Sequence, residues 1–163
     1  MYDFEENKTQ LKSELELRED WVALLSISTR YAFDRIRARA IDLLKPSFDK
    51  LGSKATLEPV DAIVLAVKHD VTEWLDTAYA LLVLRDEPLN VKEGEKLGIV
   101  TVVHLAKARE RFWREEARNI VPTSALHYVA AAEDIQRKRQ RAKAIVSEVF
   151  HPPVDLSKLV KLV

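Results

Sequence analysis

The chain has 163 residues, 47% apolar and 32% charged, and its 26 Lys+Arg balance 26 Asp+Glu, so no net field draws it onto nucleic acid or an anionic membrane. Its lack of cysteine excludes a disulfide framework or thiolate metal site and leans towards a reducing compartment. Only three glycines, no uncharged run near the ~18 residues of a membrane span and an acidic start without an apolar leader point to one all-α domain in a soluble intracellular protein, cytoplasmic or nuclear. A domain of this size buries roughly 70% of its unfolded surface and needs no staple.

In chain order, residues 5–18 are polar, with Leu11, Leu15 and Leu17 as the only apolar anchors, so residues 1–19 read as a short peripheral helix. Asp20 is placed to cap a separate helix bearing Trp21, Leu24, Leu25 and Ile27, ending near Tyr31. Phe33 then staples a helix capped by Asp34, with Ile36, Ala40, Leu43 and Leu44 inward, Arg35, Arg37 and Arg39 outward, and Pro46 as its stop. The stretch 47–56, with Gly52-Ser53, reads as a surface loop.

Pro59 suits the first turn of the next helix, whose Val60, Ile63, Val64 and Val67 share one face while Ala62, Leu65 and Ala66 make the other side apolar too. Such a helix belongs in the middle of the fold. Thr72 is expected to cap a second buried helix with Trp74, Leu75, Ala78, Tyr79, Leu82 and Val83, which Asp86-Glu87-Pro88 stops. Asn90 with Glu93 makes a capping box for a short helix that Gly98 closes.

Residues 99–118 then form a long helix with Val102, Leu105, Ala106, Arg109, Phe112 and Trp113 on one side, supported by Glu110/Arg114 and Arg111/Glu115 at i,i+4. After Ile120-Val121-Pro122, Thr123 caps the longest helix, running to about Phe150. Here Tyr128, Ile135, Ala142 and Val149 recur every seven residues, and Ala132, Arg139 and Val146 supply a second heptad position, a thin seam that leaves the helix middle exposed or meets a partner helix. Pro152-Pro153 stop it, and residues 156–160 make a last amphipathic turn.

The run Pro59-Val60-Asp61-Ala62-Ile63-Val64-Leu65-Ala66, then His69-Asp70-Val71-Thr72-Glu73-Trp74-Leu75, then Glu87-Pro88-Leu89-Asn90 through Glu93-Gly94-Glu95-Lys96-Leu97-Gly98, resembles the BACK-like helical segment that follows the BTB/POZ domain in a large family of mushroom-forming fungal proteins. The likeness extends through Asp20-Trp21-Val22-Ala23, Tyr31-Ala32-Phe33 and Ile36-Arg37-Ala38-Arg39 upstream and Ala106-Lys107-Ala108-Arg109-Glu110 downstream, roughly residues 20–110. It implies a bundle of stacked antiparallel helical hairpins with a BACK-like core over 20–118 and a long C-terminal helix and tail over 119–163. It also implies partner binding, since BTB proteins often dimerise and some serve as adaptors of cullin ligases. The chain departs in two ways. Ala32 stands where the family's aromatic-Gly-Phe turn has glycine, which argues against a left-handed turn there. No strand-rich BTB fold precedes the helices, so a truncated relative or excised piece is expected, and cullin recruitment is not.

Chemistry has little to work with. His69, His104, His127 and His151 lie far apart, without the spacing of a helix-borne zinc site. His69 beside Asp70 reads as an imidazolium complementing a helix C-terminus, and His104 as a partly buried, hydrogen-bonded side chain. Gly94 and Gly98 sit in a helical context unsuited to cradling phosphate. Glu115-Glu116 and Glu133-Asp134 point about 100° apart within each pair and so read as solvated faces.

The basic cluster Arg137, Lys138, Arg139, Arg141 and Lys143 could contact phosphates or address the nucleus, but no aromatic interleaves it, and an exposed helix middle explains it better. Residues 1–20 carry seven acids against three bases and 107–143 carry ten bases against five acids, an imbalance that could draw the termini together. The expectation is a noncatalytic interaction module without cofactor or metal that binds a protein partner or itself, with nucleic acid and membrane disfavoured. Its anchors would be Phe112 and Trp113 or the seam Tyr128, Ile135, Ala142 and Val149, for all of which core packing is the competing role. The alternatives are a helical scaffold with a small-ligand or enzymatic pocket, and a nuclear regulatory factor acting through the basic cluster.

Overall fold

A computed structural model describes the backbone of residues 4–48, 57–118 and 129–151, with side chains described over 18–48, 57–118 and 133–151. Among the described residues the fold is all-α and has no strand: α1 (Phe4–Tyr31), α2 (Asp34–Leu44), α3 (Pro59–His69), a 3₁₀ turn (Thr72–Trp74), α4 (Leu75–Leu84), α5 (Val91–Leu97), α6 (Ile99–Arg118) and α7 (Val129–Phe150). The positions of Tyr128, Thr123 and the 47–56 loop beyond Phe48, and of the expected turn at 156–160, lie outside the described residues.

The expected break at Asp20 is absent: α1 is one helix of 28 residues, about 42 Å long. No glycine or proline occurs between Phe4 and Tyr31, so nothing forces the chain to stop and Asp20 is simply an exposed helical residue. The helix ends at Ala32, whose φ of 55° is left-handed although the residue carries a Cβ. Phe33 N–H donates back to the Ser28 carbonyl at 2.9 Å, closing the wide C-terminal turn that glycine usually serves. The turn that alanine's Cβ put in doubt is therefore made. The reason is that α2 packs back on α1 immediately afterwards and overrides the local preference.

Phe33 is half exposed and neither staples nor side-chain caps α2, and Ile36 and Leu43 face solvent. Ala40 and Leu44 are the buried residues of that helix. Arg37, expected outward, turns inward and donates to the carbonyls of His69 at 3.0 Å and Asp70 at 3.2 Å, capping α3 from a neighbouring element.

The middle of the fold belongs to α4 more than to α3. Every residue from Ala78 to Val83 is buried, because α3, α6 and α7 all pack on α4. In α3 the inward residues are Val60, Ala62, Ile63, Ala66 and His69, while Val67, expected in the apolar face, is 70% exposed. Thr72 does not side-chain cap α4; it opens the 3₁₀ turn that places Trp74 in the core with no exposed surface.

His69 is 5% exposed, and its Nε2 lies 3.3 Å from Ser26 Oγ of α1. Burial first, then the Lys68 and Arg37 charges, lowers its pKa below the ordinary 6.5, so the ring favours neutrality and the expected imidazolium is disfavoured. The helix end is met by Arg37 instead.

The Asn90 capping box forms as the sequence indicates: Asn90 Oδ1 accepts from Glu93 N–H at 3.0 Å and Glu93 Oε2 from Asn90 N–H at 2.8 Å. Arg85 grips both Glu93 oxygens at 2.8 and 2.9 Å, and its hydrogen bond is the main cause holding the Glu93 carboxyl down to about 2.

These two groups give acid denaturation a defined shape. Both folded pKa values lie below their unfolded ones, so the unfolded chain binds more protons and stability falls as pH falls. The His69 contribution should begin to disappear below its ordinary 6.5, and the Glu93 contribution between its ordinary 4.5 and about 2. In urea titrations across pH, Glu93→Gln should flatten the lower limb by on the order of 2 kcal/mol relative to the parent. Parallel curves for the two proteins below pH 4.5 would refute the assignment.

Candidate interaction surface

Helix α6 is the element whose two sides differ most usefully. Leu105, Ala108 and Phe112 are buried against the rest of the fold, whereas Ile99 is 75%, Val103 55% and Trp113 42% exposed. Ala106 and Ala117 also face solvent, and so does Val100 at the flank.

Anchoring on the inward side is polar as well as apolar. Arg109 sends its guanidinium to the carbonyls of Leu82 (3.0 Å), Asp86 (3.1 Å), Glu87 (3.2 Å) and Arg85, closing the end of α4 and the turn after it. Burial lowers its pKa, with the Arg85 charge adding to that and Asp86 opposing it. Along the other edge, α7 runs antiparallel to α6: Arg111 meets Glu148 at 2.6 Å, Arg141 meets Glu115 at 2.6 Å, and Lys138 lies 3.8 Å from Glu116. The i,i+4 pairs Arg111–Glu115 (3.0 Å) and Glu110–Arg114 both form.

This frame divides the residues expected to bind a partner. Phe112 and Ala142 are fully buried and Val149 is 9% exposed, so these three are core residues. The C-terminal half of α7 spends its seam inside the protein, where Ala142, Ile145, Val146 and Val149 line the core. Trp113 and Ile135, 51% exposed, remain accessible, and Tyr128 lies outside the described residues. Phe112 and Trp113 touch edge to face at 5.3 Å, one ring inside and one outside.

The basic cluster is not one cationic face. Arg137 and Lys138 pair with Asp134, Lys138 at 2.9 Å, and Arg141 turns to Glu115. Arg139 donates to the Phe48 carbonyl at 3.3 Å, and both Arg139 and Lys143 lie 5.2 Å from the centroid of the Phe48 ring. The Lys138 hydrogen bond is the largest cause lowering the Asp134 pKa, and the Arg141 and Arg111 hydrogen bonds lower that of Glu115. These carboxylates oppose the field that a phosphate would meet.

Sequence reasoning missed the exposed tip of the α1–α2 hairpin, where Ile27, Tyr31, Phe33 and Ile36 are 42–61% exposed and the Tyr31 and Phe33 rings stack at 6.1 Å. It also missed the carbonyl-capping roles of Arg37 and Arg109, which depend on pairings distant in sequence, and that of Arg85, which reaches the Pro88 carbonyl only three residues on and so was open to local reading. His104 is half-buried, edge-on to Phe150 at 5.3 Å, and Phe150 in turn stacks on Tyr79 at 4.0 Å.

Open clefts lie among the described residues. One, of about 450 Å³, has apolar walls from Val22, Leu57, Val64 and Leu65 and is rimmed by Arg18, Glu19 and the Asp61–Lys96 pair at 2.7 Å. Another, of about 440 Å³, lies beside Phe48, Lys45, Gln136 and Lys143. Among the described residues no three His, Asp or Glu side chains gather as metal ligands, and no helix is long and apolar enough to cross a membrane. No protein-family model, curated protein or solved structure matches the chain.

Proposed function

We propose that this protein is a noncatalytic interaction module of the BTB-associated, BACK-like kind, acting inside the cell by offering an apolar helical face to a protein partner. The observation that carries the reading is the outer face of α6, where Ile99, Val103 and Trp113 stand in water on a helix whose other face is fixed in the core. Leaving large apolar groups in solvent on a rigid element forgoes hydrophobic stabilisation of roughly 25 cal/mol per Å², a loss that binding a partner recovers. The likeness to the fungal segment is supported by the left-handed turn at Ala32, in the place where that family has glycine, and by the capping box at Asn90. Cullin recruitment forms no part of the proposal.

A photo-crosslinking residue placed at Val103, Ile135 or Ile27, all exposed, should capture a protein in native extract at one or more positions and none at exposed Glu133. Absence of any protein cross-link from all three apolar positions would sink the reading.

The second reading, a ligand-binding or enzymatic scaffold, rests on the apolar-walled cleft between α1, α3 and α5. Saturable binding of a small compound, lost in Asp61→Asn, would favour it. A nuclear factor acting through the basic cluster is weakened by the carboxylates that Asp134 and Glu115 contribute.

A further inference from the structure

The exposed positions of α6 have a spacing of their own. Ile99, Val103, Ala106, Glu110, Trp113 and Ala117 are separated by four, three, four, three and four residues, which is the stripe along which one helix meets another. All six face solvent. The stripe runs the whole helix, about 30 Å.

The order of side chains along it is self-complementary. If a second α6 is laid antiparallel and centred at the height of Ala108, Ile99 falls opposite Ala117, Val103 opposite Trp113, and Ala106 opposite Glu110, with each pairing repeated by the two-fold axis. A large side chain then always meets a smaller one, the condition for close interdigitation of two helices. Charge agrees with shape. Lys107, exposed on the edge of the stripe, comes alongside Glu110 of the second copy, a carboxylate that Arg114 also meets within its own helix, and the axis makes two such pairs. A parallel arrangement would set Glu110 against Glu110 and Trp113 against Trp113, which both charge and volume disfavour.

We infer that the outer face of α6 is a homodimerisation surface, pairing antiparallel with the same helix of a second copy of this chain. The inference rests on the interaction-module reading and names its partner. The contact is small: two helices of this length bury on the order of 1,000 Å², at the low end for specific association, so a reversible dimer with micromolar affinity is expected.

The test uses the full chain. Sedimentation equilibrium should show a concentration-dependent monomer–dimer distribution. Trp113→Glu should weaken it by roughly tenfold or more, the scale of losing a central aromatic anchor. Because a charge in place of tryptophan could disturb Phe112, a second pair of variants acts at the surface alone: Lys107→Glu should weaken the dimer, and Lys107→Glu combined with Glu110→Lys should restore it.

The absence of native cysteine makes register directly readable. A mixture of Ala106→Cys and Glu110→Cys proteins should form a disulfide between the two species under mild oxidation, whereas Ala106→Cys alone should not link to itself. A monomer at every concentration, or efficient self-linking of Ala106→Cys, would overturn the inference. If Val103, Ile135 or Ile27 cross-links to a different protein while this chain stays monomeric, the self-pairing fails and the interaction-module reading survives; if the chain stays monomeric and none of the three captures any protein, both fail.

Discussion

Phe112→Ala should destabilise the protein by about 3–5 kcal/mol, the cost of deleting a fully buried aromatic ring and leaving the cavity behind. The ring sits on the inward face of α6 with Leu105 and Ala108, in the core that α4 and α7 complete. Collapse around the void is limited because α6 is pinned independently by Arg109 at one edge and by the Arg111–Glu148 and Arg141–Glu115 pairs at the other. One residue further on, Trp113→Ala should cost under about 1 kcal/mol, since its ring is 42% exposed and leans on Phe112 only edge-on. Urea denaturation checks both: the midpoint should fall steeply for Phe112→Ala at constant m-value and barely move for Trp113→Ala, whose deficit should appear in cross-linking and self-association. Comparable losses of stability from the two substitutions would mean that Trp113 is a structural residue and that α6 has no outer binding face.

That contrast shows why one helix could be read and misread at once. The bounds of α6 are given by Gly98 before it and by the absence of glycine or proline through Arg118 despite five β-branched residues at its start, and the helix spans Ile99–Arg118. Which face is inside was less legible: apolar residues fall on both sides, so Leu105 and Phe112 could be grouped with Ala106 and Trp113, which the structure turns outward. Position along a helix is a local property, whereas the choice of buried side depends on where α4 and α7 lie. The same limit explains α3, where Val67 fits the apolar spacing but points away from α4. Local chemistry held in the Asn90–Glu93 box, but it failed at Thr72, where a 3₁₀ turn takes the place of the expected cap, and at Ala32, whose left-handed conformation is imposed by the return of α2 along α1. In the basic cluster the charges could be counted from sequence, but the carboxylates that answer them could not all be seen, because Glu115 reaches Arg141 across 26 residues.

Arg109→Met is the second large effect, expected at about 2 kcal/mol. Of the four carbonyls that accept from the guanidinium, those of Asp86 and Glu87 are in exposed contacts and can turn to water, but those of Leu82 and Arg85 are in part-buried ones and lose their donor behind the methionine side chain. Relief of the burial that lowers the Arg109 pKa offsets some of this loss, which keeps the figure below that for Phe112. Arg109→Lys should recover little, because an ammonium has one nitrogen and cannot span carbonyls from the end of α4 through the turn to Glu87. The loosened turn carries Arg85, which supports the Glu93 box, so the damage should spread to α5. Hydrogen exchange should therefore rise across residues 82–97 in both variants while the Ala142, Ile145 and Val146 region of α7 stays protected. Exchange that rises uniformly over the chain, or full recovery with lysine, would show that Arg109 contributes only charge and that the turn holds without its fork.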